Sequence, residues 1–303
     1  MGPKSKRLTN IQAGRPPTAK PRRAMSRRAS RAVINRHHQL EKTRRLAGER
    51  GDAAAAAAAT AELASLGGLR RYQEASLQGQ SVERGGDTSR VLVEWLPTGR
   101  DPGPWRRLRM LEVGALSTRN ACSVSGLFDM VRIDLGSREA GILQQDFMQR
   151  PLPESEADRF DVISLSLVLN YVSDAAARGR MLARSLSFLR RFDGEAPSDI
   201  TNTVTASALP CLFLVLPRSC VTNSRYFTAT RLKELMDMLG YALVNDKMTQ
   251  KLAYSLWTRR RDVATAHVTL PKTEINPGRD RNNFAITLDS SATIETSGPE
   301  KNL

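Results

Sequence analysis

The sequence predicts an α/β fold, a mostly parallel sheet finished by an antiparallel hairpin, and three observations carry that reading. Short apolar runs of strand length alternate with helix-spaced segments between residues 108 and 239. Two further strand-like runs, 241–246 and 252–257, are separated only by a short polar turn and so form a hairpin. The first two strands end on Gly114 and on Asp134, twenty residues apart. A glycine that lets the backbone approach a ligand, followed by an acid that can accept from ribose hydroxyls, suits a nucleotide-type pocket. The loop reads GALS rather than GxGxxG, so a buried strand ending in a plain turn is the competing reading.

Residues 1–36 are rich in Arg, Lys, Pro and Ser and are expected to be disordered when free. Residues 37–50 have a charged helical pattern weakened by Gly48 and Gly51. The alanine run 53–59 favours helix but buries little, so it reads as a spacer closed by Gly67-Gly68. The expected organisation is therefore a basic disordered arm (1–50), an Ala/Gly-rich linker (51–68), a globular domain (69–260) and a disordered polar tail (261–303).

Within the domain, 69–77 and 88–96 suggest helices separated by Gly85-Gly86, with Asp87 as N-cap of the second, and 97–104 is a loop. Strands follow at 108–113 and 128–134. The stretch 116–125 is short for a crossover helix, and Gly126 marks the return. A short element, 142–147, ends on Asp146-Phe147 before the prolines of 151–153. Residues 160–166 form a central strand. Residues 175–189 form a helix with Met181, Leu182, Leu186 and Leu189 near helical spacing and Asp174 as cap. A polar loop (193–208) precedes the apolar strand 210–216. The amphipathic helix 228–239 is closed by Gly240. A seven-strand sheet whose last strand inserts antiparallel is the Rossmann-like architecture of class I S-adenosylmethionine-dependent methyltransferases. That analogy of fold ranks methyl transfer above NAD-dependent oxidoreduction.

The 303 residues, 40% apolar, suffice for one such core plus appendages. Charge is unevenly distributed. Residues 1–50 hold 15 Lys or Arg against two acids, a net +13 of the chain's +15, so the remainder is nearly neutral. An arm of this kind suits nucleic-acid phosphates, and its KSKR and RRAMSRR runs equally suit nuclear targeting. A mitochondrial presequence competes on composition, but Pro3, Pro16, Pro17 and Pro21 interrupt any amphipathic helix. Cys122, Cys211 and Cys220 form no CxxC pair, which argues against a zinc site or disulfide framework. No apolar stretch approaches the ~18 residues of a membrane span. The expectation is a soluble intracellular protein with no metal and no membrane.

The ordered blocks GGLRRYQEASLQGQSVERGGDTSRVLVEWL, LEVGALS, VRIDLGS, QQDFMQRPLP, FDVISLSLVLNYV and LPRSCVTNSRYF closely resemble the fungal 25S ribosomal-RNA adenine-N(1)-methyltransferase family. The resemblance spans about residues 67–258. It implies S-adenosyl-L-methionine as cofactor, large-subunit rRNA or a pre-ribosomal particle as partner, and the nucleolus as location. By motif, Gly114 and Asp134 correspond to the family's cofactor-binding glycine and acid.

The remaining candidates follow from their chemistry. Glu112 could meet the cofactor's ammonium, or stand as a solvent-exposed strand-end acid. Asp134 could instead cap the turn at Gly136. Asp146 and Phe147 fit an adenine clamp, the acid accepting from the exocyclic amine and the ring stacking, unless Phe147 is simply core. Asn170 is the candidate catalytic residue, hydrogen-bonding the target base while Tyr171 stacks on it. The alternative makes them a helix-entry cap and a core aromatic. Cys211 opens an apolar strand and reads as packed rather than nucleophilic. His37, His38 and His267 all fall outside 69–257, which argues against histidine acid-base chemistry. A ribosome-assembly or RNA-binding protein with an inactive pocket is the alternative function, motivated by the loop's missing glycines.

Overall fold

Strands β1 (Leu108–Val113), β2 (Phe128–Asp134), β3 (Leu143–Gln144), β4 (Val162–Ser166), β5 (Cys211–Pro217), β6 (Tyr241–Met248) and β7 (Leu252–Arg259) form one sheet in the computed structural model, ordered β3-β2-β1-β4-β5-β7-β6. β1 to β5 pair in parallel, and β7 inserts antiparallel between β5 and β6. The structure describes residues 27–68, 87–96, 107–136, 139–191, 208–260 and 269–289. The expected helix 69–77 and loop 97–104 lie outside these residues, as does nearly all of the loop 193–208.

β5 reads as an unbroken apolar run because both its faces are covered, and β4 is buried on both faces too, with only Ser164 and Ser166 interrupting its apolar residues. On β1, side chains alternate: Leu111 and Val113 join the larger core, while Met110 joins a second core on the opposite face. The larger core is closed by helices α5 (Ala175–Phe188) and α7 (Ala229–Met238) through Leu182, Leu186, Leu235 and Met236. Each such fully buried side chain contributes about 1.5–3 kcal/mol. The second core is closed by α3 (Ser89–Trp95) and α4 (Ala121–Val124) through Leu92 and Cys122.

One helix cap stands where expected, and a second, at Thr228, was not foreseen. Asp174 accepts from Ala177 N at 2.8 Å, and Thr228 from Arg231 N at 3.0 Å, each stabilising its helix by ~1 kcal/mol. Asp87 lies one position before the N-cap residue of α3, Thr88, yet accepts from Ser89 N and Oγ. It also accepts from Ala121 N at 2.5 Å, tying α3 to α4. The expected crossover 116–125 is helical only over α4. A five-residue helix, α6 (Arg218–Thr222), was not expected.

Both ends of the chain depart from the expected organisation. α1 (Arg27–Glu49) is a continuous helix, so the disorder expected through residue 36 does not hold from Arg27 onward. The alanine run belongs to α2 (Ala53–Ser65), capped by Asp52. α2 packs back on α1, with Leu40, Ala47, Ala59 and Leu63 buried and Arg36 Nε donating to Glu62 at 2.8 Å. Small alanine side chains let two helices approach closely, so the supposed linker is half of a helical hairpin. The polar tail is corrected likewise. Within 269–289, Leu270 and Leu288 form an antiparallel bridge, and Phe284, Ala285, Ile286 and Leu288 are buried against the domain.

Candidate active site

A cavity of about 560 Å³ opens where β1, β2 and β4 end, lined by Val113, Gly114, Asp134 and Ser166 among others. Its size falls within the ~300–1,000 Å³ typical of small-molecule sites. Gly114 turns the chain out of β1 at φ +74°, with its N–H donating to Ile133 O at 2.8 Å. A Cβ there would meet Val168 Cγ2 at 2.9 Å, so the position needs glycine for conformation and for space. Asp134 ends β2 on the cavity wall, and its Oδ1 accepts from Gly136 N at 2.9 Å. The turn-capping bond is present, and it orients a carboxylate that still borders the cavity.

Asp146 also lines the cavity, oriented by Met148 N donating to its Oδ1 at 2.8 Å. Phe147 lines the cavity beside Asp146. It is only 2% exposed and its ring lies 5.3 Å from that of Phe188, so it belongs to the core as well as to the cavity wall. Leu135, missed by the sequence reading, stands 54% exposed on the cavity beside Asp134 and offers a more open apolar surface than Phe147. The signal was an apolar residue directly after a strand-terminal acid.

Glu112 is neither on the cavity wall nor solvent-exposed at a strand end. Because strand side chains alternate and Val113 faces the larger core, Glu112 faces α4. There Asn120 Nδ2 donates to Oε1 at 2.7 Å, and Oε2 is buried without a hydrogen-bond partner. Burial pushes its carboxyl up to about 7, opposed by the Asn120 hydrogen bond and by Arg132.

β4 leads into the cavity's remaining wall. Leu167 takes φ +57°, a conformation that costs a branched side chain about 1 kcal/mol or more. A 3-10 turn, Leu169–Tyr171, follows. Tyr171 lines the cavity. Asn170 does not, and its Oδ1 is buried without a hydrogen-bond partner. The structure therefore brings Gly114, Asp134, Asp146, Phe147 and Tyr171 together and leaves Glu112 and Asn170 behind the wall.

The N-terminal hairpin supplies the side the sequence reading missed. His37, Glu41 and Arg44 of α1 line the cavity together with Leu63 and Gly68. Their i, i+4, i+7 spacing puts all three on one helical face, the pattern that could have revealed them. A histidine thus borders the site, contrary to the expectation that none does. Burial holds the His37 imidazole below its ordinary value, Glu41 raises it, and Arg44 lowers it further. Arg44 pairs with Glu41 at 2.8 Å.

Cys211 is fully buried and burial pushes its thiol up, which removes it as a nucleophile. Among the described residues, no three His, Cys, Asp or Glu gather as a metal site. Likewise, no helix there is long and apolar enough to cross a membrane.

Residues 57–286 match the family described as 25S rRNA (adenine(2142)-N(1))-methyltransferase, Bmt2. The chain is 40% identical over 228 residues to the 25S rRNA (adenine(2142)-N(1))-methyltransferase of Saccharomyces cerevisiae, a match covering 75% of this chain and 62% of that one. It is 33% identical over 263 residues to the 25S rRNA adenine-N(1) methyltransferase of Schizosaccharomyces pombe, covering 86% and 91%. The chain thus spans less than two thirds of the budding-yeast relative's length. Among solved structures, the pyocyanin biosynthetic protein PhzM aligns at a TM-score of 0.40 and 13% identity, over 63% of this chain and 58% of that one.

Proposed function

Because the chain belongs to the 25S rRNA (adenine-N(1))-methyltransferase family, we propose that it methylates N1 of an adenine in large-subunit rRNA, using S-adenosyl-L-methionine. The observation that carries this reading is the cavity where β1 and β2 end, with Gly114 kept bare by Val168 and Asp134 oriented beside it. A nucleoside-bearing ligand fits that donor set. Gly114 admits its approach, Asp134 accepts from ribose hydroxyls, Asp146 accepts from an exocyclic amine, and Leu135 covers a base face. When bound, the cofactor supplies a methyl group activated by a positive sulfonium.

The acceptor asks little acid-base work of the chain. Adenine N1 carries an in-plane lone pair and is unprotonated at neutral pH, so no base has to remove a proton. Catalysis is then a matter of in-line positioning, water exclusion and tolerance of a product base that becomes cationic. Tyr171 borders the cavity where a base face can rest on it. Asn170 adjoins it with a buried, unpartnered carbonyl oxygen, and we retain it as the residue that fixes the target base once the loop adjusts. His37, held neutral at pH 7 by burial, contributes shape and hydrogen bonding rather than proton transfer. A target within an rRNA helix has to be extruded, because N1 lies on the pairing edge.

The basic residues of 1–50 supply sequence-independent phosphate contacts. A pre-ribosomal particle is the substrate form, and the nucleolus the location, that this reading implies. The test is mass spectrometry of digested large-subunit rRNA after incubation with protein and labelled S-adenosyl-L-methionine. Label on adenine N1 is expected. Label on cytosine C5 or ribose would overturn the acceptor, and no binding of S-adenosylhomocysteine by calorimetry would overturn the pocket.

A further inference from the structure

Arg178 sits on the first turns of α5, only 8% exposed, yet its guanidinium serves main-chain carbonyls from two separate parts of the chain. Its Nε donates to Leu169 O at 3.0 Å and to Val172 O at 2.8 Å, the carbonyls that bracket Asn170 and Tyr171. Its Nη1 donates to Ala285 O at 2.5 Å, and the Phe284 ring lies 4.4 Å from the guanidinium carbon. The next residue, Gly179, lies directly under the same C-terminal segment. A Cβ at Gly179 would fall 2.0 Å from Thr287 O, a backbone atom that cannot move aside alone. Thr287 N in turn donates to Ala175 O at 3.1 Å, and Leu270 and Leu288 exchange backbone hydrogen bonds at 2.8 and 3.1 Å. The segment 284–288 is thus a strap laid along α5, fastened at both ends.

The loop it reaches needs holding. It begins at Leu167 in the left-handed region and contains a buried carbonyl oxygen, Asn170 Oδ1, with no partner. A loop that stores strain and leaves a polar atom unsatisfied keeps its shape only when its surroundings impose it. Removing an acceptor of Arg178 also leaves buried charge under-satisfied, so strap and loop stabilise each other through one side chain.

We infer that Arg178 is a positioning residue that couples the C-terminal strap 284–288 to the loop carrying Asn170 and Tyr171, and so sets the acceptor side of the cavity. The catalytic part of this inference rests on the methyltransferase reading above; the mechanical part does not. Arg178 does not itself line the cavity, although it holds Val172, which does. It acts by fixing where the 3-10 turn lies, and a displacement of about 1 Å at such a turn can lower turnover by about a hundredfold.

The test compares full-length wild type with Arg178→Lys, Gly179→Ala and Phe284→Leu. Lysine keeps the charge but cannot span three carbonyls, and alanine at 179 lifts the strap while leaving Arg178 intact. The readouts are thermal melting, S-adenosylhomocysteine affinity, kcat and KM on rRNA, and hydrogen exchange of the Tyr171 and Val172 amides. In folded variants, cofactor affinity should stay within about threefold, kcat should fall by about tenfold or more, and the loop amides should exchange about tenfold faster. Should Gly179→Ala not fold, Phe284→Leu carries the same comparison. Loop exchange equal to wild type in a folded variant would overturn the coupling. A kcat loss that merely tracks loss of folded protein or cofactor binding would overturn the positioning role. A loop that loosens on mutation in a protein whose wild type never methylates rRNA would instead refute the proposed reaction.

Discussion

Gly114 and Val168 are in such close contact that a Cβ on the glycine would lie 2.9 Å from Val168 Cγ2, at a backbone φ of +74°. Two independent penalties therefore meet at one position, and both fall on the cavity wall. Gly114→Ala should retain the fold at a cost of about 1–2 kcal/mol, while S-adenosylhomocysteine affinity drops about tenfold or more. Gly114→Arg should abolish binding. Calorimetry on variants first shown to melt cooperatively decides this: wild-type affinity in both would remove Gly114 from the site.

Asp134→Ala should weaken cofactor binding by roughly 1–3 kcal/mol, the scale of a charge-assisted hydrogen bond. Stability should fall less, a lost turn bond such as that to Gly136 costing about 1 kcal/mol. Equal losses in melting and in affinity would mean that the carboxylate only caps the turn.

Glu112 makes a prediction about pH. Its carboxyl is raised from 4.5 to about 7 in the folded chain. A raised carboxyl favours the folded state below the unfolded value and loses that contribution as pH climbs through the folded one. The wild type should therefore lose stability between about pH 5 and pH 8, by ~3 kcal/mol at most. Glu112→Gln keeps the acceptor for Asn120 and should flatten this slope. His37 acts at the other end: its lowered value favours the fold above the unfolded pKa, and that contribution is lost as pH falls. A melting series from pH 5 to 8 in which the Glu112→Gln and wild-type curves run parallel would contradict the burial of this carboxyl.

The N-terminal segment should divide into two functions. Residues 1–26 carry seven Lys or Arg and no acid, so their deletion should lower RNA affinity and reduce its salt dependence, with cofactor affinity unchanged. Deleting residues 1–49 should additionally weaken cofactor binding, because His37, Glu41 and Arg44 leave the cavity wall. RNA binding that is unaltered across a salt series after the first deletion would make that stretch a targeting signal alone.

The acceptor atom can be tested directly. RNA carrying 1-deaza-adenine at the target should bind but take no methyl group, since the attacking lone pair is gone. Methylation of that RNA would place the methyl elsewhere on the base.

How much of this was visible in the sequence differs from element to element. β1 and β2 stand at the residues expected, because each is an apolar run bounded by a glycine or an acid that pattern alone can find. Which of Glu112 and Val113 faces the cavity is not readable that way, because both faces of β1 are covered and parity gives no polar-apolar contrast. Phe147 as core depends on its contact with Phe188, a neighbour only in the fold. The α1–α2 wall was hidden by composition: charge and alanine signal exposure when averaged, although Leu40 and Leu63 are buried. The strap was hidden in the same way, since Phe284, Ile286 and Leu288 are diluted by polar neighbours.

The placement of β7 between β5 and β6 has a consequence for the order in which the molecule is made. The last strand of the sheet to be synthesised is an interior one, paired on both edges. A nascent chain ending before Leu252 therefore has β5 with an open edge and β6 with nothing to join it to the sheet. Open edges are the surfaces on which partly made chains associate wrongly. The strap is translated later still. During translation Gly114 and Asp134 are therefore made well before Ala285, and the loop bearing Tyr171 can receive its brace from Arg178 and Ala285 only once the strap has been made.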